Sequence, residues 1–207
     1  MNAGRKPLVA VLDYGIGNLR SAQKALERVG ADARLTDDVD VVRAADKVVL
    51  PGVGHFGRCM EALEQSGLDL PAREAIDDGK PFLGICIGMQ LLFEGSDEEP
   101  GRKGLGVVAG TCRLLPPTVK RPQIQWNTLQ LVQPDDPLFA DLWPEPWMYF
   151  VHSYHPVPDD AGVVAATCEY GTTVTAAVRQ ENVVATQFHP EKSGAAGLQL
   201  LRNFVAA

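Results

Sequence analysis

The chain is expected to fold as one α/β domain, a central and mostly parallel sheet flanked by helices, with an additional antiparallel β section in its C-terminal half. Two observations predict this. The first three strand-length segments are unbroken apolar runs, as strands covered on both faces require, and each passes through a glycine-bearing turn toward a segment of helical spacing. From about residue 105 the runs give way to short alternating segments, the mark of antiparallel strands.

Leu8-Val9-Ala10-Val11-Leu12 is the first such run. Within residues 18–29, Leu19, Ala22, Ala25, Leu26 and Val29 recur at helical spacing before Gly30, which completes a βα unit. Lys47-Val48-Val49-Leu50 is the second run, closed by Pro51-Gly52-Val53-Gly54, and Cys59, Met60 and Leu63 predict a helix ending near Gly67. Residues 72–76 suggest a further short helix before Asp77-Asp78-Gly79 turns the chain into a third strand ending at Cys86. Sheets of this kind gather ligands at the carboxyl ends of their strands, where all three glycine loops fall. Later, residues 130–132, 147–151, 163–166 and 174–178 read as mostly antiparallel strands. Residues 183–188 follow Glu181-Asn182 at hairpin spacing and lead into His189-Pro190-Glu191, and residues 198–205 have the spacing of a terminal helix. Pro116-Pro117 and Asp97-Glu98-Glu99-Pro100 read as surface turns, so residues 1–207 are expected to form one domain.

A length of 207 residues suits one well-buried core, and 45% hydrophobic with 22% charged residues is ordinary globular composition. The net charge of −7, with nineteen scattered Lys and Arg, argues against a nucleic-acid partner and for a small substrate or a protein. Asp13 ends the first apolar run before a signal core or membrane span could form, so a cytoplasmic protein without membrane attachment is expected. Cys59, Cys86, Cys112 and Cys168 are widely spaced, with no Cys-x-x-Cys pattern and no histidine at zinc-ligand spacing. Neither disulfides, a metal nor another cofactor is expected.

In Gly84-Ile85-Cys86-Ile87-Gly88, two glycines flank a cysteine where an apolar strand meets a helix. Residues without a Cβ let two elements pass closely at a strained turn and hold a side chain up at the sheet edge, where the helix start favours thiolate. Cys86 is thus either an elbow nucleophile or a small buried hydrophobe. A cysteine nucleophile needs a base and a group to orient it. His189 at a strand end has Glu191 two residues on, and in extended chain i and i+2 project to one side. The same tripeptide could be a plain turn. His152 lacks a neighbouring carboxylate and reads as a packed core histidine, and His55 as loop surface. Pro51-Gly52-Val53-Gly54 is either a strand-ending turn or a loop whose amides receive an oxyanion, with the amide of Ile87 as second donor.

Taken together and in this order, Pro51-Gly52-Val53-Gly54, Gly84-Ile85-Cys86-Ile87-Gly88-Met89-Gln90 and Phe188-His189-Pro190-Glu191 resemble the class I, or triad, glutamine amidotransferases. The further runs Asp13-Tyr14-Gly15-Ile16-Gly17-Asn18-Leu19, Phe150-Val151-His152-Ser153-Tyr154 and His189-Pro190-Glu191-Lys192-Ser193-Gly194 resemble one branch of that family, the glutaminase subunits of imidazole glycerol phosphate synthases. The resemblance implies that Cys86 attacks the carboxamide of L-glutamine, that His189 passes the proton to departing ammonia and that Glu191 orients His189. It further implies an oxyanion hole at Gly52, Val53 and Ile87, and substrate binding by Gln90 and the backbone of Ser153 and Tyr154. The implied partner is a separate (β/α)₈-barrel cyclase subunit that receives the ammonia in histidine biosynthesis and on which glutaminase activity depends. By position, Asn18, Trp126, Tyr149 and Lys192 would face it. Where the branch usually shows Pro-His-Met-Gly-Trp-Asn, this chain has Pro122-Gln123-Ile124-Gln125-Trp126-Asn127, so two residues expected against the partner are glutamines. A glutaminase serving a vitamin B6, anthranilate or sugar-amidating synthase, or a scaffold without catalysis, stands as the alternative.

Overall fold

A computed structural model describes residues 5–207. In chain order the first half runs β1 (Leu8–Leu12), α1 (Leu19–Arg28), β2 (Asp32–Thr36), α2 (Val39–Ala44), β3 (Lys47–Gly52), α3 (Phe56–Gln65), α4 (Asp69–Asp77), β4 (Phe82–Cys86) and α5 (Ile87–Leu91). The second half adds β5 (Phe93–Ser96), β6 (Val108–Leu114), β7 (Gln123–Thr128), β8 (Gln130–Leu131), β9 (Trp147–His152), β10 (Tyr154–Pro158), β11 (Val164–Glu169), β12 (Thr173–Gln180), β13 (Val183–Thr186) and α6 (Gly194–Ala206).

The main sheet has eight strands in the order β2-β1-β3-β4-β13-β12-β11-β8. Strands β2, β1, β3, β4 and β13 are parallel, and β12, β11 and β8 continue the sheet antiparallel. This is the expected α/β architecture with its antiparallel extension. Every residue of β1, β3 and β4 is buried, which explains their unbroken apolar runs. Strand β2, Asp-Ala-Arg-Leu-Thr, lies at the sheet edge with a largely polar exposed side, and no apolar run announces it. A three-stranded sheet (β10-β6-β5) and a two-stranded one (β7-β9) complete the second half. The second half departs from the antiparallel expectation at two places, since β13 is parallel to β4 and β5 to β6. One hydrophobic cluster extends from Leu8 to Val205. Among the described residues, no helix is long and apolar enough to cross a membrane.

Strand β13 is the switch between the two halves. Its hairpin with β12 turns at Glu181 and Asn182, as expected, and the Asn182 side chain donates to the carbonyls of Ile76 (3.0 Å) and Lys80 (2.8 Å). This fastens the turn to the start of β4. The parallel register pairs Val183 with Phe82 and Thr186 with Ile85, so both chains leave the sheet at the same edge. Residues just after β13 therefore arrive beside Cys86.

At that edge α5 folds back across β3. A Cβ on Gly88 would stand 1.8 Å from the Leu50 carbonyl oxygen, and one on Gly84 would stand 2.9 Å from the Gly88 carbonyl oxygen. The obstacles are backbone atoms of β3 and α5, which have no rotamer by which to withdraw. Gly88→Ala is therefore expected to destabilise the fold by about 3 kcal/mol, at the upper end of overpacking costs. The denaturant midpoint should fall with the slope unchanged; a midpoint within error of the parent would contradict so close a crossing.

Candidate active site

Cys86 is the last residue of β4 and sits immediately before α5 with φ 56° and ψ −110°. A non-glycine residue there is strained by about 1–3 kcal/mol, held because Gly84 and Gly88 allow the crossing. The helix after it has only five residues, so its dipole is a smaller influence on the sulfur than the sequence suggested. Other groups surround Sγ: the thiol points at the Val151 carbonyl at 3.9 Å, and the side-chain amide of Gln187 donates to it at 3.7 Å.

His189 follows β13 by three residues and is held at both ends of its backbone. Its N–H donates to the Tyr149 carbonyl (3.0 Å), while the Ser193 hydroxyl donates to its carbonyl (2.6 Å) and accepts from the Tyr149 N–H (3.0 Å). Nδ1 lies 2.8 Å from Glu191 Oε1, with the two side chains 1% and 2% exposed. The pairing is the expected one, but its geometry is not. Pro190–Lys192 is a 3₁₀ turn rather than extended chain, so it is the turn that swings Glu191 back onto the ring. Burial would push the His189 imidazole down, but the neighbouring Cys86 and Glu191 side chains outweigh it and raise the ring to about 10. Nε2 has no hydrogen-bond partner among the protein atoms.

A cleft of about 560 Å³ opens over this pair, with Val53, Ile87, Gln90, Ser153 and Tyr154 on its walls and Asn18 and Lys192 also lining it. Gly52 is in register with Cys86. Gln90 is 1% exposed; its amide nitrogen donates to the Tyr154 carbonyl (2.9 Å) and to Gln187 Oε1 (3.0 Å), while its own oxygen is buried without a partner. The Ser153 carbonyl accepts from Leu115 N–H at 2.9 Å. His152 is buried as expected and lies 3.0 Å from the Tyr154 carbonyl through Nδ1; burial drives its ring down to about 3, so it is neutral at working pH. The four cysteines are free thiols, and no group of three His, Cys, Asp or Glu among the described residues is placed to hold a metal.

Trp126 and Tyr149 face each other across the β7-β9 pair, ring centroids 6.0 Å apart and edge-on, with the indole 47% exposed. Lys192 is exposed at the end of the same turn that carries Glu191. Asn18 caps α1 through its backbone carbonyl, and its side chain accepts from the Ser21 hydroxyl at 2.8 Å. Gln125 is exposed, but Gln123 corrects the expectation of a surface contact. It points inward, fully buried opposite His152, and both polar atoms of its amide lack partners.

Two site residues were missed in the sequence. Gln187, fully buried between Gln90 and Cys86, was absorbed into an apolar strand, although a polar residue directly after Val183-Val184-Ala185-Thr186 was the available signal. Glu98 lies in a run that reads as a surface turn. It lines the cleft and accepts from the Phe56 N–H at 2.7 Å, closing the start of α3, and only the tertiary fold brings it there.

Comparison with known proteins adds to this geometry. The family model for glutamine amidotransferase class-I matches residues 10–207. Imidazole glycerol phosphate synthase subunit HisH of Trichodesmium erythraeum (strain IMS101) is 49% identical over 201 residues, covering 96% of this chain and 94% of the relative. The subunit of the same name from Syntrophotalea carbinolica is 48% identical over 204 residues, covering 95% and 98%. Among solved structures, one described as PurLQS from Thermotoga maritima superposes with a TM-score of 0.76 at 22% identity, covering 98% of this chain and 99% of that one. Another, a glutamine amidotransferase, gives 0.73 at 20% identity, covering 96% and 99%. At these identities the structural likeness is one of fold.

The raised His189 has a sign that can be measured. A ring held above its ordinary value of 6.5 adds stability that is complete below that pH and is lost as pH rises through the raised value. The His189 ring resonances should therefore stay in the imidazolium position through neutrality and titrate toward about 10. In Glu191→Gln the midpoint should move down; a wild-type midpoint at 6.5 would refute the coupling.

Proposed function

The chain belongs to the glutamine amidotransferase class-I family, and we propose that it is the glutaminase subunit of an imidazole glycerol phosphate synthase, acting in the cytoplasm. In this reading residues 1–207 form one amidotransferase domain, of which residues 1–4 lie outside the described part. The observation that carries the chemistry is the elbow cysteine sharing a cleft with a buried His189–Glu191 pair whose Nε2 has no partner among the protein atoms.

Cys86 as thiolate attacks Cδ of L-glutamine, and the carbonyl electrons move onto oxygen. That oxygen is received by backbone amides drawn from Gly52, Val53 and Ile87, an arrangement worth roughly 10²–10³ in rate where single donors have been removed. Nε2–H of His189 protonates the leaving nitrogen as the C–N bond breaks, which releases ammonia and leaves a thioester. The same Nε2 then takes a proton from water, hydroxide attacks the thioester carbonyl, and the C–S bond breaks to give glutamate and thiolate. Glu191 holds the ring with Nε2 toward the sulfur throughout. Gln90, with its unpaired buried oxygen, and the Ser153-Tyr154 backbone suit the amino-acid end of the substrate.

Ammonia passes in this reading to a (β/α)₈ cyclase subunit, which forms imidazole glycerol phosphate and aminoimidazole carboxamide ribotide. Two relatives that match nearly end to end at 48% and 49% identity, both described as HisH subunits of that synthase, support the assignment. The exposed Trp126, with Tyr149, Asn18 and Lys192 near the cleft, suits a docking face for such a partner.

Purified alone, the chain should release little glutamate from glutamine, and it should turn over steadily once the cyclase and its ligand are added. Cys86→Ala should abolish this, and Glu191→Gln should lower kcat by roughly 10²-fold or more, the lower range for acid–base groups. Absence of glutamate release in every combination would overturn the glutaminase reading. Failure to restore growth of a histidine auxotroph, despite expression with its own cyclase, would overturn the choice of synthase.

A further inference from the structure

Two buried side chains that the chemistry above does not use grip the loop after β3 from different directions. Tyr14, 5% exposed, donates its hydroxyl to the Pro51 carbonyl at 2.6 Å. Cys59 on α3, fully buried, directs its thiol to the Val53 carbonyl at 3.3 Å. A peptide unit is planar and trans, so fixing its carbonyl fixes the opposite N–H. Tyr14 therefore sets the Pro51–Gly52 plane and with it the Gly52 N–H. Cys59 sets the Val53–Gly54 plane.

The direction follows from the sheet. Tyr14 follows β1, which borders β3 on the side away from β4, so the Pro51 carbonyl faces Tyr14 while the Gly52 N–H is spent in the ladder to β4, and the peptide left between the two held planes is Gly52–Val53, which carries the Val53 N–H. The fit leaves little slack. A Cβ on Gly52 would lie 2.6 Å from the Tyr14 hydroxyl oxygen and 3.0 Å from Ile87 Cβ. Both donors also keep their protons, since burial raises Tyr14 well above its ordinary value and pushes Cys59 up to about 11.

We propose that Tyr14 and Cys59 are positioning residues for the oxyanion loop: they hold the peptide planes on either side of Gly52–Val53, so that the Val53 N–H on the plane between them meets the negative oxygen formed on the glutamine carboxamide. The inference rests on Pro51-Gly52-Val53-Gly54 being that loop. It extends the site to two side chains that never touch substrate, and it assigns a role to the Asp13-Tyr14-Gly15 segment that the reaction itself leaves without one.

The test uses the complex with the cyclase and its ligand. Tyr14→Phe removes one oxygen at constant shape. It should lower kcat for glutamine about tenfold, less than the loss of a whole oxyanion donor, and leave KM within about threefold. Cys59→Ala should lower kcat in the same sense, whereas Cys59→Ser, which can still donate, should restore it. Iodoacetamide alkylation of Cys86, located by peptide mass, develops no oxyanion and should proceed at the parent rate in all three variants. Unchanged kcat in Tyr14→Phe, alkylation that falls in step with turnover, or a serine variant no better than the alanine one would each overturn the proposal. If Tyr14→Phe fails to fold, the Cys59 pair decides. A parent complex that releases no glutamate would instead sink the glutaminase reading, so the two failures are distinct.

Discussion

The whole site hangs on one close crossing of backbone over backbone. Because Gly88 has no side chain, α5 can pass against the Leu50 carbonyl, and because Gly84 has none, β4 can run beneath it. That crossing leaves Cys86 no relaxed conformation and holds it at φ 56°. It also brings the end of β3 level with Cys86, since Gly52 and Cys86 are partners in the ladder. Widening the crossing by a methyl group would shift the sulfur, the loop and the mouth of the cleft together.

The second requirement is electrostatic, and it is met by burial. His189 and Glu191 lie almost wholly out of water at 2.8 Å, where a charge is costly unless it is paired. Cys86 and this pairing together reverse what burial alone would do to the imidazole and keep it protonated near neutral pH. His152 shows the contrast. It is equally buried but is met only by a carbonyl, and its ring is driven to about 3. Two histidines in one cleft thus take opposite charge states, decided by whether a carboxylate is within reach.

The parts of this arrangement that rest on unbroken apolar runs and on glycine spacing were legible in the sequence. Strands β1, β3 and β4, helix α1, the β12-β13 hairpin and the elbow at Cys86 all carry such signals. Strand β2 does not, because an edge strand with one wet side needs no apolar run. Short β5, and strands β6, β7 and β10 of the two small sheets, owe their pairing to distant partners and went unread. The His189–Glu191 contact was anticipated through i, i+2 geometry and is made by a 3₁₀ turn, so the right pair was reached by the wrong path. Glu98 depends on three-dimensional neighbours that no local pattern encodes, whereas Gln187 has only its polarity at the end of an apolar strand to mark it. Gln123 took the opposite course: its place in a motif suggested the surface, and the pleat of β7 turned it inward.

The backbone at Cys86 also has an evolutionary meaning. A φ of 56° suits glycine far better than cysteine, so at this position the fold by itself favours a residue with no side chain at all. Mutation toward glycine would relax the elbow and erase the sulfur in one step. A lineage released from the reaction would have every thermodynamic reason to drift that way. Cysteine at this position carries a backbone cost that glycine would not, so the sulfur is held at the expense of stability.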